Sequence, residues 1–324
     1  MSDALFATLQ QLLGAAHVQT SEQAAHCLTD KQGRYTGHVI AAVHPANTEE
    51  VAAVVRACVA LKAPIVVQGG NTGLMAGATP DASGRSVLLL LDRMNRVRSV
   101  DTDNDTLTVE AGCILQHVQD AARAADRLFP LSLGAEGSCT LGGNLGTNAG
   151  GTGVLRYGNT RELTLGLEVV TAEGEIWHGL RGLRKDNTGY DLRDLYIGSE
   201  GTLGIITAAT LKLFPLPKAQ ATALLAFDEL AQAVAFLSHA RAGFGASLTA
   251  FELLTADCLA LLRDQFPEGP QPFKTADQPW FALIELSDNH GESHAREAFE
   301  AVLGEAFEKQ LISDALIAES LAQS

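Results

Sequence analysis

Apolar positions along the chain follow two periods in turn. After a stretch of helical character over 4–28, Pro45-Ala46-Asn47-Thr48-Glu49-Glu50 opens a helix, with Asn47 at the N-cap and Glu50 three residues on. Val51, Val54, Val55, Cys58 and Leu61 recur at helical spacing, and Pro64 closes the element before the strand-like Ile65-Val66-Val67. Strands are predicted at Val87–Leu91 and Leu107–Ala111, and a helix at Ile114–Ala125. Leu165–Thr171 and Glu175–His178 flank the Glu173-Gly174 turn of a predicted hairpin. Ile205–Leu213 is a strand that ends at Pro215-Leu216-Pro217, where a domain boundary is expected. Beyond it the pattern predicts helices at Glu229–Leu237, Ala250–Leu262 and Ser293–Phe307, and a strand at Phe281–Leu286.

Between Pro130 and Gly158 neither period holds. Gly, Ser, Thr and Asn dominate, and nine glycines fall within 134–158. A segment with so little side chain cannot order itself by apolar burial, so something must fill the space it leaves. Two further clusters flank it in sequence. Gln68–Gly77 holds four glycines just past a strand, and Ile197–Ile206 carries Glu200 between glycines. Glycine lets main-chain amides approach a ligand closely, and successive inward N–H groups form an anion nest. No Lys or Arg occurs between Val66 and Gly84, so such a nest would hold a pyrophosphate by dipoles alone. Taken by itself the first cluster is equally a tight turn. The Rossmann and P-loop glycine fingerprints are absent.

Composition narrows the partners. The 324-residue chain carries a formal net charge of −15, which disfavours nucleic acid and anionic membrane surfaces. Five widely spaced cysteines with no C-x-x-C suit a reduced protein without a disulfide framework. The first 30 residues hold no Lys or Arg and no apolar run reaches about 18 residues, so the expectation is a cytoplasmic protein.

In unbroken order the chain reads GGNTGL, GSCTLGGNLGTNAGG, RYG, GLEVV, LRKDNTGYDL, GSEGTLGIIT and PLP. These motifs resemble the FAD-linked oxidoreductases of the vanillyl-alcohol-oxidase/p-cresol-methylhydroxylase (PCMH) type, most of all the D-2-hydroxyglutarate and D-lactate dehydrogenases and the glycolate oxidase FAD subunit. The resemblance implies an α+β fold: a two-subdomain FAD-binding domain over 36–217 and part of a ferredoxin-like substrate (cap) domain over 218–324, with 1–35 read from its own pattern as a helical leader outside them. It gives Gly69, Gly70, Asn71, Thr72 and Gly73 to the FAD pyrophosphate, with Leu74 beside them. Ser138, Gly142, Gly143, Thr147, Asn148 and Gly151 fall to the ribityl and flavin region, with Pro130 and Tyr157 also on the cofactor. Glu200, Gly204 and Ile206 complete the site. Residues 68–79 contain neither His nor Cys, so the flavin is expected to be noncovalent.

The implied reaction moves a hydride from C2 of a 2-hydroxy acid to the flavin, with a quinone, electron-transfer flavoprotein or similar acceptor downstream. The family's carboxylate-gripping cations and its divalent metal (Zn or Mn) are not found in this chain. Asp288-Asn289-His290-Gly291-Glu292-Ser293-His294 reads as a turn entering a helix and not as a metal site. Catalytic residues stay unassigned. The C-terminal portion of the substrate domain is expected to be missing, with Ile317–Ser324 inside a helix. The alternative is a flavin-binding subunit, or a truncated chain without independent catalysis, whose substrate and metal side a partner supplies; a homodimer is also allowed. A short reductase of the UDP-N-acetylenolpyruvoylglucosamine type would share the fold, but LRKDNTGYDL argues against it.

Overall fold

The computed structural model describes residues 2–269, 273 and 278–318. They group into two compact units: one made of the chain up to Ala149 together with Asn159–Pro215, the other of Gly150–Gly158 and the chain from Leu216 onward.

The first unit contains two sheets. The smaller comprises β1 (Val18–Gln19), β2 (Val39–Val43), β3 (Ile65–Gln68) and β4 (Ser86–Leu90), in the order β1-β2-β4-β3. β2 and β3 both run parallel to β4. Parallel neighbours need a crossover, and α2 (Thr48–Ala60) supplies it between β2 and β3. The Asn47 side chain caps α2 by accepting from the Glu50 amide at 2.8 Å. Asn47→Ala should cost about 1 kcal/mol in a denaturation midpoint, the usual loss for such a cap.

Contrary to the expectation of a separate leader, α1 (Ser2–Leu13) is part of this core. Leu5, Leu9 and Leu13, at i, i+4 spacing, bury beside Val51 and Val55 of α2. Each contributes about 1.5–3 kcal/mol of apolar burial, which a detached helix would forgo. The remainder of 4–28 is one short strand and two single 3₁₀ turns, not a second α-helix.

The larger sheet is antiparallel throughout: β5 (Val97–Asp101), β6 (Thr106–Glu110), β8 (Thr164–Thr171), β9 (Ile176–Gly179) and β10 (Gly204–Lys212), ordered β5-β6-β10-β8-β9. The β8–β9 hairpin forms around the predicted turn. β7 (Arg127–Leu128) pairs with β11 (Phe214–Pro215), and α3 (Leu115–Ala124) matches its predicted span to within a residue at either end. Val170 of β8 and Ile205 of β10 join the same core as the smaller sheet, so the two halves share one apolar interior.

The second unit is an antiparallel sheet of β12 (Ala219–Phe227), β13 (Leu248–Thr255), β14 (Trp280–Asp288) and β15 (Asp314–Ile317), ordered β13-β14-β12-β15. With α7 (Leu230–Phe244) after β12 and α9 (Glu292–Glu308) after β14, this is the ferredoxin-like β-α-β-β-α-β arrangement. Phe227, Phe236, Phe244 and Phe299 fill the core between helices and sheet. The four-residue helix α5 (Val154–Tyr157) packs on β13.

Two predicted elements change type here. Residues 250–255, read as helix, are strand; the helix α8 spans only Ala256–Gln265. Pairing with β14 along Leu248–Thr255 outweighs the local helical spacing. Ile317 lies in β15, on the edge of the sheet, and not in a helix; the rest of that predicted helix, 319–324, lies outside the described residues.

Candidate functional site

The three glycine clusters converge in the first unit. Gly69 and Gly77 from the first, Gly142, Gly143, Gly146 and Thr147 from the second, and Glu200, Gly201 and Gly204 from the third line one cavity. Val67, Leu91, Ile205 and Ile206 give it apolar walls. Of the residues assigned from sequence, it brings together Gly69, Gly142, Gly143, Thr147, Glu200, Gly204 and Ile206. Gly70, Asn71, Thr72, Gly73, Leu74, Pro130, Ser138 and Asn148 belong to the same unit but are not part of this lining. Gly151 and Tyr157 fall in the second unit.

Several of these glycines are required because neighbouring chain leaves no room for a side chain. A Cβ on Gly70 would stand 1.9 Å from the Ser138 carbonyl oxygen, and one on Gly69 would stand 2.2 Å from the Thr140 hydroxyl. Gly142 has the Ala111 Cβ at 2.8 Å from its own Cβ position. The first and second clusters therefore touch at Gly69–Gly70, and the cavity opens beside that contact. Gly73 is different: nothing lies within 4 Å of its Cβ position.

Besides Ala76 (φ 58°) of the first cluster, three non-glycine residues sit in the left-handed region, one to a cluster: Asn71 (φ 50°), Asn148 (φ 47°) and Glu200 (φ 51°). Asn tolerates this conformation; Glu does so at a cost. Local hydrogen bonds hold all three. Asn71 Nδ2 donates to the Thr29 carbonyl at 2.8 Å, Asn148 Oδ1 accepts from the Arg161 amide at 3.0 Å, and the Glu200 amide donates to the Gly146 carbonyl at 2.9 Å. The Glu200 carboxylate leans over Gly77, where a Cβ would meet Oε2 at 2.7 Å. Backbone strain that surrounding bonds over-determine marks a built site.

The buried Thr140 hydroxyl, at the head of α4 (Leu141–Gly146), has no hydrogen-bond partner among the described residues. It stands between Gly69 and Gly143, two lining residues. A buried hydroxyl left unpaired costs about 1–3 kcal/mol, so its position fits a ligand that accepts from it or donates to it. Cys139 beside it is a packed thiol, which burial pushes above its ordinary value.

Sequence reasoning missed several participants. Arg34 reaches the Leu74 carbonyl, clamping the first loop from 40 residues away. Gly204 is closed in by the Tyr196 ring, 3.0 Å from its Cβ position, and that ring stacks on Trp177 at 5.7 Å. Arg34 had no sequence signal, since the loop and the arginine meet only in the fold. In the second unit, Glu285 of β14 is a carboxyl that burial pushes up. There Arg156 donates to the Ser287 carbonyl at 2.5 Å and lies 5.1 Å over the Tyr157 ring.

The Asp288–His294 segment forms the expected turn. Asp288 Oδ1 accepts from the His290 and Gly291 amides at 2.6 and 2.9 Å, Oδ2 bonds His294 Nδ1 at 2.7 Å, and α9 begins at Glu292. Among the described residues no three His, Cys, Asp or Glu side chains gather as a metal-ligand set.

Comparison with known proteins agrees with this architecture. The family described as FAD binding domain matches residues 39–179, and the C-terminal domain of FAD linked oxidases matches 216–324. The chain is 38% identical to D-2-hydroxyglutarate dehydrogenase of Xanthomonas citri pv. viticola, over 100% of this chain and 67% of that protein. It is 36% identical to the mitochondrial D-2-hydroxyglutarate dehydrogenase of Arabidopsis thaliana, over 97% of this chain and 56% of that one. The chain thus spans little more than half the length of the Arabidopsis relative. Among solved structures, alkyldihydroxyacetonephosphate synthase superposes with a TM-score of 0.78 at 18% identity, covering 99% of this chain and 62% of that one. Substrate-bound p-cresol methylhydroxylase gives 0.74 at 20%, covering 97% and 65%. These two show the fold. With sequence relatives and domain families in accord, the chain belongs to the FAD linked oxidases.

Proposed function

We propose that the chain binds FAD in the glycine-lined cavity of its first unit and serves a dehydrogenase that oxidises a D-2-hydroxy acid to the 2-oxo acid. The observation that carries the cofactor assignment is the convergence of three glycine clusters on one cavity, with an unpartnered buried hydroxyl behind its Gly69 and Gly143 side. The names of the relatives support D-2-hydroxyglutarate as substrate, with D-lactate and glycolate as the other members of the class. FAD, when bound, supplies the hydride acceptor.

The chain's own residues then have separable tasks. Gly69, Gly142 and Gly143 let main chain come close to the cofactor, with Asn71, Thr72 and Gly73 of the first loop proposed at its pyrophosphate. The Thr140 hydroxyl offers one directed hydrogen bond. The Glu200 carboxylate, an acceptor only, suits the hydroxyl donors of a ribose or ribityl chain. Val67, Leu91, Ile205 and Ile206 keep water from the apolar side. The substrate side is assigned to the second unit, with residues 36–217 as the cofactor domain and 218–324 as the substrate domain. The divalent metal that the family resemblance implies finds no fitting ligand set among the described residues. The two electrons released by oxidation of the hydroxy acid would pass on to a quinone, an electron-transfer flavoprotein or a similar acceptor, which is reduced.

The flavin is proposed to be held without a covalent tether, because no His or Cys lies in 68–79 and the Cys139 thiol is buried. All five cysteines are free, as a reducing compartment such as the cytoplasm requires. No helix among the described residues is long and apolar enough to cross a membrane.

The test is anaerobic titration of the purified yellow protein with a panel of D-2-hydroxy acids, followed by acid precipitation. Bleaching of the flavin band by at least one acid, and release of all FAD into the supernatant, are expected. Bleaching by none with FAD bound would overturn dehydrogenation by this chain alone and favour a flavin subunit completed by another polypeptide. Thr140→Val should weaken FAD binding about tenfold, the loss of one hydrogen bond to a charged or strongly polar group. The flavin-free protein should lose no stability, because the hydroxyl it deletes has no partner there.

A further inference from the structure

A buried carboxylate outside the cavity bonds to the strand that forms one wall of it. Glu168 of β8 is 7% exposed. Its Oε1 accepts from the Thr48 hydroxyl at 2.6 Å and from the Thr207 hydroxyl at 2.9 Å, and Arg98 donates to both of its oxygens at 3.1 and 3.3 Å. The three donors come from the start of α2, from β10 and from β5, so this one side chain joins the crossover helix to the larger sheet.

Thr207 sits where the β10–β8 ladder breaks register. Ile206 pairs with Val169 and Ala208 with Glu168, leaving Thr207 as an extra residue between them. A bulge bends its strand and re-aims the side chains beside it. Here Ile205 and Ile206, on the N-terminal side of the bulge, both line the cavity. The extra residue is held by its hydroxyl, which bonds the Glu168 side chain and lies 3.2 Å from the Glu168 carbonyl.

A main-chain relay runs onward from the same residue. The Thr207 carbonyl accepts from the Ala111 amide at 2.9 Å, and the Ala111 carbonyl accepts from the Gly142 amide at 2.6 Å. Gly142 is itself in the cavity lining, pressed against Ala111. The bulge therefore bears on two sides of the site: the isoleucine wall directly, and the second glycine cluster through Ala111.

We infer that Glu168 is a positioning residue of the cofactor cavity, fixing the Thr207 bulge and through it the Ile205–Ile206 wall and Gly142. This inference rests on the reading of that cavity as the FAD site. Glu168 touches no cofactor; it acts through Thr207, and Thr48 and Arg98 hold it in place. A site is only as well ordered as the shell that supports it, and such shells are set by buried hydrogen bonds of this kind.

The test compares Thr207→Val, Thr207→Ser and Glu168→Gln in the full chain. It reads FAD dissociation constant, the visible absorption band of bound flavin, and the unfolding midpoint of the flavin-free protein. Thr207→Val removes one hydroxyl at nearly constant volume and should raise the FAD dissociation constant about tenfold with a shifted band. Thr207→Ser, which keeps the hydroxyl, should restore both, and Glu168→Gln, which keeps one acceptor but loses the charge facing Arg98, should give a smaller change in the same direction. A purely structural role would lower the midpoint and leave affinity and band alone. Wild-type affinity and band in both Thr207→Val and Glu168→Gln overturns the inference, as does a Thr207→Val chain that no longer folds, since the network would then be a folding device. A wild-type chain that binds no FAD instead sinks the reading of the cavity, before any variant is compared.

Discussion

Gly70→Ala should purify nearly colourless. The added methyl group would stand 1.9 Å from the Ser138 carbonyl oxygen, 2.9 Å from its carbonyl carbon and 3.0 Å from the Cys139 Cα. All three are main-chain atoms, so no side-chain rotation relieves the clash. Ordinary contact begins near 3.4 Å, so one loop must withdraw by about 1.5 Å. Overpacking of this kind costs about 3 kcal/mol at the upper end of its usual range. A displacement on the order of 1 Å in a positioned site costs about a hundredfold in function. We expect FAD affinity to fall by that order and bound flavin to be lost during purification. Gly134→Ala is the control: the same chemical change, at a glycine with nothing within 4 Å and outside the cavity lining, should keep both colour and stability. Retention of stoichiometric FAD by Gly70→Ala would show that the two clusters do not need their contact.

Arg98→Met should give the second large effect, and an unusual pH dependence. Arg98 joins two buried carboxylates, Glu110 and Glu168, at 3.3 and 3.1 Å. Removing one partner of a buried pair typically costs about 3–5 kcal/mol. Arg98 keeps 30% side-chain exposure, and Glu110 retains Arg96, so about 2–3 kcal/mol is expected at neutral pH. Burial alone would raise both carboxyls, yet hydrogen bonds from Arg96 to Glu110, and from Arg98, Thr48 and Thr207 to Glu168, bring them below the ordinary 4.5. A carboxyl depressed in the folded state adds stability that is complete above its unfolded value and disappears as pH falls through its folded value. The wild type should therefore lose this contribution below about pH 4.5, where the variant has less to lose. Chemical denaturation at pH 7 and again near pH 4 should show the two proteins converging. A gap that stays constant with pH would mean that Arg98 acts by packing and not by charge.

How much of this was legible beforehand depends on the range of the interaction. The glycine clusters could be read because their composition rules out self-packing, and Asn47 because a cap is a local pattern. The helix at 250–255 was misread because its neighbour in the sheet, β14, lies some 30 residues further on and no local feature reports it. α1 looked detached because its three leucines find their partners in α2, across a long insertion. The Glu168 network had no sequence signature at all. GLEVV shows a glutamate among strand residues, and only the fold brings Arg98, Thr48 and Thr207 to it.

The path of the backbone has a practical consequence. Because Gly150–Gly158 clusters with the residues after Leu216, the polypeptide passes between the two units three times, and the second unit is not a contiguous stretch of chain. A fragment beginning at Leu216 would leave behind α5, exposing the surface of β13 it covers and stripping the Ser287 carbonyl of its Arg156 donor. Dissecting this protein into independently expressed halves calls for a graft or a circular rearrangement, not a single cut.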